Sequence, residues 1–296
     1  FLIEIIQFFN GLPGSSLIVG KINLGILIII YGLIILVWLN KFWQKRSHLA
    51  ILFALILIVI PIFYERSQLV QITILAAKQA QIIVVQNQGK VILINSGDRN
   101  TVRYVILPFL LEQGIDRIDC GIALDSDSDL DLNNGWSEIT KNIAIASFLI
   151  NSNWSETFEN NPNLIPNQLV LNKTLSIGNT KIELLGKEQP LLELEVLNRK
   201  WLIMEGNQKI ELKKLPKKPE FLLWSSRSIS ENLLLTIAPE TAIASSSWVT
   251  KKTQEQIEKK QIKLYWTGRD GAIQWTPDLG LTTTLKRKKT KNQERI

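Results

Sequence analysis

Histidine and cysteine are almost absent from this chain: its 296 residues hold one of each, His48 and Cys120. The common zinc sites draw three or four ligands from His, Cys and carboxylates, so one copy of the chain lacks the imidazoles and thiolates to build them. A single cysteine excludes an intrachain disulfide, and a serine–histidine–acid triad would have to use His48 as its base. Methionine also occurs once, as Met204, and the chain opens on Phe1, so it reads as the C-terminal piece of a longer protein. Charge is missing from two long stretches. Residues 22–39, INLGILIIIYGLIILVWL, are eighteen uncharged residues, about the length that spans a bilayer core. Residues 49–64, LAILFALILIVIPIFY, are also uncharged and a little shorter, with Pro61 near the end, and read as a second span. Two such runs, with no basic start and no small-residue cleavage site, do not make a signal peptide.

What charge there is lies unevenly. The formal net charge is +7, yet residues 67–285 carry 23 basic and 24 acidic side chains, so the soluble body is nearly neutral. The tail from Lys286, KRKKTKNQERI, is a basic block that reads as solvated disorder. Between the two apolar runs, NKFWQKRSH holds Lys41, Lys45 and Arg46. Short loops rich in Lys and Arg stay cytoplasmic, which puts everything after about Ser67 on the extracytoplasmic face. The opening FLIEIIQFFNGLPGSS has helically spaced apolar residues before a Pro-Gly break, and reads either as an interfacial segment or as a helix packed on spans further upstream.

From Leu69 the pattern turns to alternation. LVQITILAA and AQIIVVQNQGKVILINSG predict three antiparallel strands, the last two joined through Asn87-Gln88-Gly89. A helix is expected over 101–112, a buried strand ending at Leu124, an acidic loop from Asp125 to Asn134, and a helix over 136–149. Residues 151–166 read as loop. Further strands follow as QLVL, TLSIG, KIELLG, LLELEVLN and KWLIMEG, with turns at Gly178-Asn179 and Asn198-Arg199. After the connector KKLPKKP come the strand FLLWSS, a helix near 231–236, the strand TAIASSS, a polar helix over 251–260, and the strands KLYWTG and GAIQWT. The whole predicts an α/β sandwich of two strand-rich halves in one domain of about 220 residues.

This order of features resembles the C-terminal part of the ComEC-type competence proteins, membrane DNA channels of natural transformation, and within them the cyanobacterial branch. The phrases that carry the likeness are LPGSS at 12–16, VILINSGD at 91–98 and VILPFLLEQGI at 105–115. The resemblance implies two C-terminal transmembrane helices within residues 1–66, then a metallo-β-lactamase-like αββα sandwich over 67–285, and a basic tail over 286–296. It also implies a multi-pass protein of the inner membrane whose partners are the lipid bilayer, single-stranded DNA and other competence proteins.

The family's catalytic phrases are degenerate here. Its Asp-Val-Gly-Gln-Gly-Asp becomes Ala76-Ala77-Lys78-Gln79-Ala80-Gln81, and its Leu-Ile-Asp-Gly-Gly becomes Leu93-Ile94-Asn95-Ser96-Gly97. Its His-x-His-x-Asp-His falls on Asp125-Ser126-Asp127-Ser128-Asp129-Leu130, and its His-His-Gly-Ser on Ser225-Ser226-Arg227-Ser228. A Gly-Asp ligand position falls near Glu205-Gly206-Asn207 without its Asp. Two zinc ions need imidazoles and a bridging carboxylate to hold them and to acidify water. The expectation is therefore an extracytoplasmic domain that is not an enzyme, holds no cofactor, and has either a structural or a DNA-guiding role.

Several residues carry rival readings. Asp127, Asp129, Asp131 and Glu138 stand at positions 1, 3, 5 and 12 of a calcium-loop spacing, although Leu132 occupies the glycine position and a strand leads in. A diverged metal-dependent nuclease using residues 125–131 is thus one alternative, and a remnant without a transport role is another. Ser225, Ser226 and Ser245 to Ser247 crowd the expected cleft, with Lys251 the only base suggested by spacing. Cys120 reads as a small core residue. Trp136, Trp154, Trp224, Trp248, Trp266 and Trp275 are either stacking platforms for bases or core packing. Trp248, Lys251 and Lys252 are the candidate DNA contacts.

Overall fold

The computed structural model describes residues 24–39, 67–77, 80–124, 132–150, 165–186, 190–205 and 218–285, together with residues 48, 52 and 56. It divides into two compact units, Phe1–Ser67 with Pro108–Asp116, and Gln68–Leu107 with Arg117–Ile296.

In the first unit, helix α1 (Leu24–Leu39) has sixteen residues and no charged side chain. Leu27, Ile28, Ile29, Ile34 and Leu36 are all exposed and point in different directions, and the sequence LGILIIIYGLIILVWL puts an apolar residue on every side of the cylinder. A helix that is apolar on every side is made for an apolar surrounding rather than for one buried stripe. At 1.5 Å per residue it is about 24 Å long. Among the described residues, no helix is long and apolar enough to cross a membrane. The second expected span lies outside the described residues except for Leu52 and Ile56.

The second unit is built on alternation. Strands β1 (Val70–Leu75), β2 (Ile82–Asn87) and β3 (Lys90–Ile94) pair antiparallel, as the sequence predicts. Gln88 and Gly89 both take positive φ, 52° and 78°. That is the backbone twist a two-residue hairpin needs between right-twisted strands. Asp98 caps the next helix, α2 (residues 99–112), its Oδ1 accepting from the Thr101 N–H at 2.8 Å. A π turn runs through Val102–Ile106, with the Leu107 N–H reaching back to the Val102 carbonyl. Such a turn reorders the hydrogen-bond ladder just ahead of Pro108, which has no N–H to offer it.

Strands β4 (Arg117–Ile118) and β5 (Cys120–Ala123) follow, then helix α3 (Leu132–Thr140), β6 (Ala144–Ile145), β7 (Phe148–Ile150) and β8 (Pro166–Gln168). The expected helix over 136–149 is therefore corrected: it ends at Thr140, and its apolar end is the buried strand β7. A three-residue apolar run has no period that could separate the two. Strands β9 (Thr174–Ile177), β10 (Thr180–Gly186), β11 (Leu191–Val196) and β12 (Arg199–Met204) form an antiparallel meander. The turn expected at Asn198-Arg199 lies one residue earlier, at Leu197-Asn198, both at positive φ. Strand β13 (Phe221–Trp224), helix α4 (Glu231–Ile237), strand β14 (Thr241–Ala244), helix α5 (Lys251–Lys259) and strand β15 (Lys263–Trp266) wind on in parallel. A short helix α6 (Thr267–Asp270) and a last strand pair, β16 (Ile273–Thr276) and β17 (Gly280–Thr283), complete the fold. Neither α6 nor β17 was expected from the sequence.

The strands make two large sheets, ordered β17-β16-β1-β2-β3-β5-β7-β8 and β15-β14-β13-β12-β11-β10-β9. Between them lies one core, with Ile72, Ile83, Ile92 and Ile122 from the first sheet and Leu194, Trp201, Leu223 and Ile243 from the second. On the far side of the second sheet, Leu234 and Ile237 of α4 and Ile257 of α5 cover Leu202, Leu222 and Ala242. On the far side of the first, Trp136 of α3 packs edge-on against Phe148, ring centroids 4.8 Å apart. The architecture is thus a mixed α/β sandwich with helices on both outer faces. Because β12 to β15 run in parallel, their C-terminal ends emerge together at one end of the sandwich.

Candidate functional site

That shared end collects the positions the sequence singled out. Asn95 leaves β3 in the left-handed region, φ 59°. Asn tolerates that conformation better than most residues. Its side chain is fully buried and fully used. The Nδ2 group donates to the Gln81 carbonyl at 3.2 Å and to Glu205 Oε1 at 2.9 Å, and Oδ1 accepts from the Leu124 N–H at 2.8 Å. Glu205, one residue past β12, is 6 % exposed. Beside it, Ser245 Oγ donates to the Ala80 carbonyl at 3.3 Å.

Two further hydroxyls of this end also face carbonyls: Ser226 Oγ donates to Ser228 O at 2.6 Å and Ser246 Oγ to Trp248 O at 2.7 Å. A carbonyl oxygen cannot take the proton of a nucleophile as a general base does. Lys251 lies at the start of α5 as an exposed side chain.

Outside this buried cluster lies a basic and aromatic rim. The Arg227 guanidinium sits 4.9 Å from the centroid of Trp248, which is 48 % exposed. The loops after β13 and β14 meet there, the Thr250 N–H donating to the Arg227 carbonyl at 2.9 Å. Thr250 then caps α5, whose first residues are the exposed Lys251 and Lys252. Next to them Arg269 stacks 3.5 Å from the centroid of Trp266 and pairs with the buried Asp270. The sequence proposes Trp248, Lys251 and Lys252 as contacts, and against Trp248 the structure sets Arg227, whose only signal was its place in a phrase that had lost its histidines. Of the remaining tryptophans, Trp136, Trp224 and Trp275 are core, and Trp154 lies outside the described residues.

Asp125, Asp127, Asp129 and Leu130 also lie outside the described residues. The calcium-loop reading is corrected nonetheless, because residues 132–138 of that twelve-residue spacing belong to α3. Its last ligand is committed elsewhere: Glu138 meets Arg103 Nε at 2.6 Å, Lys141 Nζ at 3.3 Å and Arg99 Nε at 3.8 Å. The hydrogen bond from Arg103 holds the Glu138 carboxyl below the usual glutamate range. A carboxyl so depressed stabilises the fold above the ordinary value and loses that contribution as pH falls through its own. E138Q should therefore lower the melting temperature at neutral pH, and the gap to wild type should close as the pH drops below 4.5. Melting curves from pH 7 to 3 check this. Cys120 is buried, and desolvation, with Asp119 adding to it, pushes its thiol up to about 12. It is a core residue, as its sequence setting predicts.

No known protein family's profile matches the chain, and no curated protein matches it. Solved structures do. The metallo-β-lactamase fold protein YhfI from Bacillus subtilis superposes with a TM-score of 0.53 at 7 % identity, covering 70 % of this chain and 100 % of its own. A point mutant of the CmlA β-hydroxylase gives a TM-score of 0.51 at 10 % identity, covering 67 % of this chain and 52 % of its own. The chain therefore has the metallo-β-lactamase fold.

That fold implies a metal centre where its strand ends gather, and the residues described there do not fit one. Among the described residues no three His, Cys, Asp or Glu side chains come close enough to hold a metal ion. The donor chemistry gives the reason. Asn95 turns its NH₂, a donor, toward Glu205, and the hydroxyls of Ser226, Ser245 and Ser246 are committed to backbone carbonyls. Among the described residues of this cluster the carboxylate is Glu205, and no imidazole stands beside it.

Proposed function

We propose that this chain is the C-terminal part of a ComEC-type DNA-uptake protein of the inner membrane, and that its metallo-β-lactamase-fold domain binds a single strand outside the cytoplasm without cutting it. The observation that carries this reading is the rim of Arg227, Trp248, Lys251 and Lys252, set beside a strand-end cluster whose polar groups bond to one another. Binders of unpaired strands combine an exposed aromatic platform with cations that track the phosphates. The near-neutral body charge does not count against this, because the four residues concentrate three positive charges at one end of the sheet. The membrane assignment draws on the uncharged residues 22–39 and 49–64, on α1 with its apolar surface, and on the basic loop between the runs. In this reading the uncharged runs 22–39 and 49–64 anchor the domain in the bilayer, residues 67–285 face the incoming strand, and other competence proteins complete the pore.

Fluorescence anisotropy of labelled oligo-dT with the full chain in detergent tests it. Binding should weaken steeply with salt. W248A should cost about tenfold or more in affinity, since stacking on one aromatic contributes ~1–3 kcal/mol per base. K251A/K252A should flatten the salt slope by about 1.4, ~0.7 for each lysine on a single strand. Binding that ignores both salt and W248A would overturn the strand-binding role. Phosphodiester turnover with Mn²⁺ or Mg²⁺ that a chelator abolishes would restore the hydrolase.

A further inference from the structure

The two sheets are joined at both ends by side-chain hydrogen bonds. At the end away from the rim, Asn87 Nδ2 donates to Thr180 Oγ1 at 2.9 Å and Asn179 Nδ2 to Gln88 Oε1 at 2.5 Å, linking the β2–β3 hairpin to the β9–β10 turn. At the rim end, the links are Asn95 to Glu205 and Ser245 to Ala80, and Asn95 also binds the carbonyl of Gln81, next to Ala80. Residues from before β2, after β3, after β12 and after β14 are thereby tied together.

A metal ion whose ligands come from separate elements does the same work, because its binding energy is spent on holding those elements in place. We propose that in this protein the Asn95–Glu205 hydrogen bond, with Ser245–Ala80 beside it, is a metal-independent clasp that takes over the sheet-joining role of a metal centre at this end of the fold. The inference does not depend on the strand-binding reading.

The choice of Asn over Asp at position 95 follows from donor arithmetic. Asn offers two N–H groups, and both are used, one on the Gln81 carbonyl and one on Glu205. An aspartate there would offer none when ionised and would set a second carboxylate against Glu205. Two carboxylates at that separation do not both stay ionised, so they share a proton or recruit a cation. The clasp is thus an amide donor meeting a carboxyl acceptor in a buried place, where low local polarity makes a satisfied hydrogen bond stronger than the same bond in water.

The experiment uses the full chain in detergent. Wild type should carry no stoichiometric transition metal by elemental mass spectrometry, and its melting temperature should not move with EDTA. N95A and E205A should each lower that temperature by about 5 °C or more. The double variant N95A/E205A should lose little beyond the worse single variant, because the Asn95–Glu205 bond is already lost in either one. E205Q, which keeps an acceptor oxygen, should lie nearer wild type than E205A. N95D should melt low at pH 8 and recover toward pH 5 as the pair takes up a proton. One bound transition metal per chain, a fall in melting temperature on chelation, or fully additive losses from N95A and E205A would overturn the clasp.

Discussion

Replacing Gly268 by alanine should cost about 4 kcal/mol or more of stability, although alanine suits a helix better than glycine does. Gly268 is the second residue of α6, and its φ is not among the positive ones, so conformation alone gives glycine no advantage. What forbids the methyl group is the neighbour. A Cβ built there would stand 2.6 Å from Ser247 Cα and nearer still to the Ser247 carbonyl carbon and oxygen, all backbone atoms. The turn is held in this position by the Gly268 N–H on the Ser246 carbonyl at 3.0 Å and by Thr267 Oγ1 on the same oxygen at 3.3 Å. Ordinary overpacking costs ~1–3 kcal/mol because side chains can shift. Here the backbone itself must move, and with it the Ser245–Ala80 link. Gly135 in α3 repeats the arrangement, its Cβ falling 2.6 Å from Ser96 Oγ and nearer still to the Gly97 carbonyl oxygen. Gly32 in α1 is the control: nothing lies within 4 Å of its Cβ position. G268A and G135A should lower the denaturation midpoint sharply, while G32A should hold it or raise it. Because helix propensity alone favours alanine in all three, a G268A protein as stable as wild type would mean that the close approach to Ser247 does not exist.

Those two glycines show where sequence reading reaches its limit. The hairpin at Gln88-Gly89 was readable because β2 and β3 alternate on both sides of a Gly-containing pair. The turn at Leu197-Asn198 was misplaced by one residue, since a leucine at positive φ violates the local preference that marks turns. Strand β17, GLTT, escaped because it is polar and half-exposed, and pairing with β16 rather than an apolar face makes it a strand. At the site, the loss of histidines was plain in the chain, but what replaced them was not. Asn95 and Glu205 are 110 residues apart, and no local pattern marks a hydrogen bond across that distance. The same holds for Arg227 and Trp248, whose pairing depends on two parallel strands ending level with each other. Trp224 ends the apolar phrase Phe221-Leu222-Leu223 and lies in the core, whereas Trp248 follows Ser245-Ser246-Ser247 and is half-exposed, so here the immediate neighbours do carry the distinction.

Trp201 is the tryptophan whose removal should cost most. It is fully buried in the core between the sheets, stacked on Phe221 with centroids 3.8 Å apart and planes at 13°, and it meets Trp275 edge-on at 5.6 Å. Three strands are represented in that cluster, β12, β13 and β16, and β16 belongs to the opposite sheet. W201A should therefore lose ~3–5 kcal/mol, from apolar transfer and from a cavity that two rings anchored on separate sheets cannot close. For a domain of this size that is about 10 °C in melting temperature. W201F distinguishes the physical terms. The indole N–H of Trp201 has no hydrogen-bond partner among the described residues, so phenylalanine gives up no bond seen there and removes a buried donor that costs stability where it stands. It also keeps a ring against Phe221. The expected loss for W201F is about 1.5 kcal/mol or less, since the smaller cavity and the removed donor act in opposite directions. If W201F and W201A melted together, the indole nitrogen would have to be bonded to an internal water, and the cost would be polar rather than steric. Strand β12 carries the consequence to the site, because Glu205 directly follows its last residue. W201A should consequently weaken the Asn95–Glu205 bond along with the core, and the further loss on adding E205A to W201A should be smaller than the loss E205A causes alone.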